Sequence, residues 1–246
     1  MNIREEFTQM LDWDSLESQS ETLFDKFNNA SPFSHISLDN YFNEDYLDML
    51  IKEFDATDWS KQDVRNDQGI QVKLRSNWED DNEIPPTAFK FISLLNSGNF
   101  LRVLSKITGV EGLIPDPYLS GGGLNQINTG GHLAVHADGN WHDKMGVHRR
   151  LNVILYLNKD WDSEWGGNFE LWNKDITKCE KEIAPLFNRL MIFKTDDFSF
   201  HGHPKPLNVP QDRSRRSLIL YYYTNTRPES ELASDEKHRA IFHKTY

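Results

Sequence analysis

The sequence predicts an α+β fold in which helices come first and an antiparallel sandwich or barrel follows. Three observations carry this. Apolar residues recur at helical spacing between residues 43 and 108. From Pro115 onward the pattern changes to short strands separated by Gly, Asp, Asn and Pro. The chain has 246 residues, 37% of them hydrophobic and 12% aromatic, which is enough to build one sizeable core. A single domain is expected, with residues 1–32 as a polar lead-in, 33–118 as a helical segment, 119–226 as the β core and 227–246 as a charged tail.

Each element has its own signal. Residues 1–30 are polar and partly helical in pattern, and Pro32 precedes a short apolar stretch, Phe33 to Leu38. Tyr46, Leu47, Leu50, Ile51 and Phe54 form one helical stripe, with Asn43 placed to cap it. Residues 55–84 read as charged and irregular. After Pro85 and Pro86, two further stripes follow, Phe89, Ile92 and Leu95, then Phe100, Leu101, Leu104 and Ile107, and Gly109 ends the second. Strands are expected at 123–128, 133–137, 150–158, 167–172, 190–193 and 215–224. Alternation puts Arg215, Ser217, Ile219, Tyr221 and Tyr223 on one face of the last strand, and Leu218, Leu220 and Tyr222 on the other. His136 and Asp138 likewise share a face, with Leu133, Val135 and Ala137 opposite. Polar residues inside and apolar residues outside fit a sandwich whose outer surface is covered by the helices and whose interior carries a site.

Composition excludes several classes. The only cysteine, Cys179, rules out an intramolecular disulfide and any Cys-x-x-Cys centre. Twenty-seven Lys and Arg against 38 Asp and Glu leave a net charge of −11, which disfavours phosphate backbones, so no nucleic acid is expected as a partner. No run of about 18 apolar residues occurs, and the polar, acidic opening lacks the apolar stretch of a signal peptide. The expectation is a cytoplasmic protein with no membrane partner.

His136-Ala137-Asp138 supplies two thirds of a 2-His-1-carboxylate facial triad for non-haem Fe(II). Alone it is a weak signal. His201 or His203, in FKTDDFSFHGHPKPL, offers the third ligand. His132 and His136 are four apart, but the segment lacks the glutamate of a zinc-protease helix and lies among strand signals. An Arg on the inward face of the last strand implies an anion, because an uncompensated buried charge costs several kcal/mol. Its partner is either a ligand carboxylate or an internal acid. Period 2 sets Ser217 beside Arg215, and an inward Tyr156 could add a phenol donor. By the same alternation Arg150 and Asn152 share an inward face and are candidates for substrate contact. His142 and His148 are expected exposed in a loop, Trp161, Trp165, Gly166 and Gly167 in a packed turn, and Tyr221 and Tyr223 in the core.

The segments GGHLAVHAD, RRLNVILYLNKDWDSEWGGNFELW, FNRLMIFKTDDFSFHGH and RRSLILYYY occur in that order. Together they resemble the 2-oxoglutarate- and Fe(II)-dependent oxygenases of the prolyl 4-hydroxylase type. The resemblance spans roughly residues 33–224. It implies a double-stranded β-helix core, of jelly-roll or cupin-like form, with helices packed outside one sheet. It implies Fe(II) bound by His136, Asp138 and His201, and 2-oxoglutarate bound by Arg215 and Tyr156 with Ser217 alongside. His203 stands where the family often has a hydrophobic residue, which makes it a candidate to support the ligands or meet substrate. Leu133 replaces a tyrosine common in prolyl hydroxylases, and Arg215 replaces the lysine that several of them use. The implied activity is a dioxygenase that uses dioxygen, with ascorbate as a reductant, to hydroxylate a prolyl residue of a peptide or protein. The alternatives are hydroxylation of a free amino acid or other small metabolite, and a non-catalytic sensor of metal and 2-oxoglutarate. Both histidine ligands must be neutral to bind metal, so activity is expected to fall below about pH 6.

Overall fold

The computed structural model describes residues 2–67, 69–234 and 236–243. Helices α1 (Ile3–Met10), α2 (Trp13–Ser18) and α3 (Ser20–Asn28) lead into strand β1 (His35–Asp39) and helix α4 (Glu44–Ala56). Strands β2 (Asp63–Asp67) and β3 (Gln71–Arg75) form a hairpin before α5 (Pro86–Leu95) and α6 (Gly98–Thr108). Then follow β4 (Ile114–Pro115), β5 (Gly123–Ile127), β6 (His132–Ala137), β7 (Trp141–His142) and β8 (Val147–Tyr156). The last elements are β9 (Phe169–Trp172), β10 (Cys179–Ile183), β11 (Arg189–Lys194), β12 (His201–His203), β13 (Arg215–Thr224) and β14 (Ile241–Phe242). Among the described residues no helix is long and apolar enough to cross a membrane.

The helices form where local chemistry starts and stops them. Asn43 Oδ1 accepts from the Asp45 N–H at the head of α4, Pro86 opens α5, and Ser97 Oγ accepts from Phe100 N–H on α6. Gly109 closes α6 in the left-handed region at φ 70°, which a residue with a Cβ adopts only under strain. The buried stripes are Leu47, Leu50 and Phe54 on α4 and Phe100, Val103, Leu104 and Ile107 on α6. Helix α5 is buried over most of its surface through Ala88, Phe91, Ile92, Leu94 and Leu95, and only Phe89 of its expected stripe is exposed.

The strands make one antiparallel sheet ordered β1-β11-β8-β13-β5-β3-β6-β12-β9-β10 along its path. Its centre is the pairing of the two ten-residue strands, with Ser217 opposite Tyr156 and Tyr221 opposite Asn152. Alternation then sorts the side chains. Leu151, Val153 and Leu155 on β8, with Leu218, Leu220 and Tyr222 on β13, join the helices in the main core. Ile154 and Tyr156 point to the other face, where they pack with Phe169, Leu171, Met191 and Phe193. The inverted sandwich expected from the sequence is the one observed.

Three segments differ from the sequence reading. Residues 1–30 contribute Met10, Leu16, Leu23 and Phe27 to the main core, so sparse apolar residues in short helices suffice to dock them. Residues 55–84 are not irregular throughout, because the β2–β3 hairpin joins the sheet through β5 and β6. His142 is buried against Asp116 (Nε2 to Oδ1 3.3 Å) and is not a solvated loop residue.

Tyr222 ties sheet to helix, its hydroxyl donating to the Leu95 carbonyl at 2.9 Å in a fully buried setting. Tyr222→Phe leaves that carbonyl without its donor and is expected to lower stability by about 1–2 kcal/mol. Denaturant titration of both proteins checks it.

Candidate functional site

Strand pairing assembles the first cluster. His201 opens β12 directly opposite His136 on β6, which brings the two imidazole rings to 4.4 Å between centroids. Asp138 lies just past the end of β6, with its oxygens 3.5 Å from Nε2 of each histidine. One donor atom from each of the three residues falls within 4.8 Å of the others, and all three side chains are buried.

The surroundings settle how these donors point. The Nδ1 atoms of His136 and His201 lie 2.9 Å from the carbonyls of Ala134 and Ser199. Each ring therefore donates Nδ1–H to backbone and leaves its Nε2 lone pair facing the centre, the arrangement a metal needs. Phe242 on β14 stacks on His136, and Phe193 and Phe169 enclose His201. Burial and the neighbouring His136 lower His201 to about 4, so this ring is neutral near pH 7. For Asp138, burial raises the pKa, but Arg149, His201 and His136 outweigh it and hold the carboxyl well below the usual carboxylate range. A buried, anionic carboxylate between two imidazole Nε2 atoms is a donor set that fits Fe(II).

Arg149 was not singled out from the sequence. Its guanidinium lies 3.5 Å over the Tyr221 ring and 3.3 Å from Asp138 Oδ2, and its Nε donates to Asn152 Oδ1 at 2.9 Å. Asn152 in turn donates to Asp138 Oδ2 at 2.7 Å. Arg150, expected to share the inward face with Asn152, instead pairs with Glu231 at 3.1 Å and donates to Thr224 Oγ1 at 3.2 Å. The reason is a β-bulge. The ladder runs from Tyr222–Leu151 to Tyr223–Arg149, so Arg150 is the extra residue and the alternation flips there. A second irregularity, between the His201–His136 and His203–Leu133 pairs, turns Leu133 inward alongside His136. Tyr221 is likewise a wall of the site and not filler in the apolar core.

Beneath the triad lies a chamber of about 90 Å³, lined by Arg215, Ser217, Lys73, His203, Asn125 and apolar residues that include Ile154 and Ile219. Arg215 is 5% exposed. Its Nε donates to the Gly167 carbonyl at 2.8 Å and its Nη2 to Tyr156 Oη at 3.2 Å. No carboxylate of the described residues lies within 4.0 Å of it, so the internal ion pair that the sequence left open is not formed. Gly167, at φ 72°, makes this approach possible, since a Cβ there would sit 2.5 Å from Leu207 Cδ2 and 3.1 Å from Arg215 Cδ. Burial raises the Tyr156 phenol and Arg215 opposes it, so the hydroxyl stays protonated and keeps a hydrogen to donate. His203 is buried with neither ring nitrogen hydrogen-bonded, and Lys73, lowered to about 8 by burial and by Arg75, reaches the same space. A chamber with buried cations and donors, whose one acid among the described residues is Asp138 of the triad, fits a dicarboxylate whose methylenes lie along the apolar walls. Lys73 escaped the sequence reading, although alternation in QVKLR, with Val72 and Leu74 between Gln71, Lys73 and Arg75, is the signal for it.

A triad of this geometry beside a cation-lined chamber on a curled antiparallel sheet is a site that could hold a metal ion with an anionic ligand next to it. A family model described as the 2OG-Fe(II) oxygenase superfamily matches residues 122–223, the span that carries the site. That span is similar to the superfamily, and it covers about two fifths of the chain. Prolyl 3-hydroxylase OGFOD1 of Mus musculus is 27% identical over 204 residues, covering 80% of this chain and 34% of the relative. The chain thus spans about a third of that relative's length. A Trichoplax adhaerens prolyl hydroxylase, solved in complex with a hypoxia inducible factor oxygen degradation domain peptide, superposes with a TM-score of 0.61 at 18% identity, over 85% of this chain and 91% of that one. HygX from Streptomyces hygroscopicus, solved with nickel, 2-oxoglutarate and hygromycin B, gives 0.55 at 10% identity, over 91% and 97%. These likenesses establish the shared double-stranded β-helix fold.

Two outcomes are expected. Asn152→Leu removes the amide that holds Asp138 and should weaken divalent-metal affinity by roughly 10- to 100-fold, as read by competition with a chelating dye. His201, His203, His35 and His148 all titrate lower in the folded chain than in the unfolded one, chiefly through burial. Protonation therefore favours unfolding, and their stabilisation is complete above about pH 6.5 and lost as pH falls. The metal-free protein should lose on the order of 2 kcal/mol between pH 7 and pH 5 through His201 alone. Denaturant midpoints at the two pH values measure it, and a flat profile would contradict the burial argument.

Proposed function

We propose that this protein is an Fe(II)- and 2-oxoglutarate-dependent dioxygenase that hydroxylates a C–H bond of a prolyl residue in a peptide or protein. The observation that carries the reading is Arg215, a buried guanidinium with no carboxylate of the described residues beside it, on the chamber that the triad faces. His136 and His201 would hold Fe(II) through Nε2 and Asp138 through its carboxylate. Arg215 and Tyr156 would hold the distal carboxylate of 2-oxoglutarate, with Ser217 alongside. The two orphaned nitrogens of His203 supply a further donor to the same dianion. When bound, the metal and the oxoacid supply dioxygen activation and C–H hydroxylation.

The remaining steps belong to the chain. Arg149 and Asn152 keep Asp138 ionised and aimed, and the backbone carbonyls of Ala134 and Ser199 hold both imidazoles in the ligating tautomer. Phe169, Phe193, Ile154 and Ile219 keep the chamber apolar around the reacting end. The retained carboxylate at Asp138 supports hydroxylation. The relative named prolyl 3-hydroxylase and the four matched segments support a prolyl substrate.

Anaerobic titration of Fe(II) with 2-oxoglutarate tests the cofactor pair through its weak visible charge-transfer band. The band is expected in the wild type and in His203→Ala, the latter needing more 2-oxoglutarate, and is expected to vanish in His201→Ala. A wild-type protein that develops no band would overturn the reading. Prolyl hydroxylation itself is read as one added oxygen in the mass of a proline-containing peptide, together with succinate.

A further inference from the structure

The site opens outward into a cavity of about 540 Å³, whose charge runs against that of the chain. The protein carries −11 overall, yet this cavity is lined by Arg65, Lys73, Arg75, Lys144, Arg149 and Arg239 against only two carboxylates, Asp138 and Asp143. The cations are poorly neutralised. Arg65 and Arg75 share a single acid, Asp63, at 2.7 and 2.5 Å. Arg75 Nε is buried without a hydrogen-bond partner. Arg149 is committed to Asp138. Lys144 lies over the Tyr118 ring. Lys73 and Arg239 have no carboxylate of the described residues within 4.0 Å.

Position gives this surplus a role. Lys73 lines both the inner chamber and the outer cavity, so it stands where a group adjacent to the reacting carbon must pass. The outer cavity shares Arg75, Ser120, Gly121 and Lys144 with a second one of about 500 Å³, walled in part by Trp78 and Tyr118 and bearing Glu79, Asp80 and Asp81, so the cationic surplus is confined to the cavity next to the triad. Such an extended surface suits several residues of peptide better than a free amino acid. Low-dielectric walls bearing one sign of charge focus the field on an incoming anion and repel a cation.

We infer that the outer cavity selects an acidic peptide, with an Asp or Glu within one or two residues of the target prolyl, and that Lys73 and Arg239 read that carboxylate. The identity of the target as a prolyl residue rests on the function proposed above, whereas the charge preference rests on the cavity. Charge-assisted hydrogen bonds reward the acidic flank, and beside Lys73 and Arg239 a basic flank meets like charge.

Fluorescence anisotropy on the full chain, loaded anaerobically with Fe(II) and 2-oxoglutarate, tests this with labelled prolyl peptides that differ only in Glu, Gln or Lys flanks. The Glu peptide is expected to bind about tenfold more tightly than the Gln peptide, with the Lys peptide weakest. The gap should narrow several-fold between about 50 and about 500 mM NaCl. Lys73→Gln and Arg239→Gln should each reduce the Glu-to-Gln ratio, and Arg239, being exposed, can be changed without disturbing the fold. Equal binding of Glu and Gln peptides, tightest binding of the Lys peptide, or no binding of any peptide would overturn the inference. Succinate production once the same samples are exposed to dioxygen separates the two readings. A preference for the Glu peptide without succinate sinks the oxygenase function and leaves the charge preference standing, and succinate without that preference does the reverse.

Discussion

The antiparallel pairing of β8 with β13 is the constraint on which the rest of the structure depends. Two ten-residue strands lie side by side with most side chains buried and none fully exposed. Backbone period 2 leaves no freedom about which residues face the helices and which face the chamber. Leu151, Val153, Leu155, Leu218, Leu220 and Tyr222 give the helical layer its apolar floor. The same ladder puts Tyr156, Ser217, Tyr221 and Asn152 on the opposite face. A one-residue slip would expose the chamber residues to the helices and the leucines to the site, so burial of the outer face enforces the geometry of the inner one.

Against that regularity, two departures aim the chemistry. The bulge at Arg150 turns Arg149 inward to Asp138 and sends Arg150 to Glu231. The irregularity between β6 and β12 lets His136 and His201 sit opposite each other while Leu133 and His203 both reach the chamber. Bulges beside active sites commonly re-aim side chains in this way. Here each one places a group that strict alternation would have put elsewhere.

Charge is arranged with equal economy. A chain with eleven more acids than bases gathers more cations than acids in two connected places, the chamber with Arg215 and Lys73 and the outer cavity with its arginines. Asp138 is the carboxylate common to both, held ionised by Arg149 and ringed by imidazoles. Asp143 is the other acid of the outer cavity. The site is therefore prepared for a dication at its centre and anions on either side.

Much of this was legible in the sequence because it depends on local periodicity and spacing. The helical stripes and caps, the order of helices before strands, the polar inner face of β13 and the pairing of His136 with Asp138 all follow from residues a few positions apart. The choice of Arg215 over Arg216 follows from parity alone, and Arg216 indeed turns out to Asp55. What the sequence left undecided depends on which distant strands meet. Only the sheet shows that the hairpin of residues 63–75 joins β5 and β6 and delivers Lys73 and Arg75 to the pockets. Only the ladder reveals the bulge that exchanges Arg149 for Arg150, because a bulge is a mismatch between two strands and leaves no mark in either one alone. The fate of Arg215 as an unpaired buried cation is also a tertiary fact, set by the absence of any carboxylate of the described residues within 4.0 Å of it.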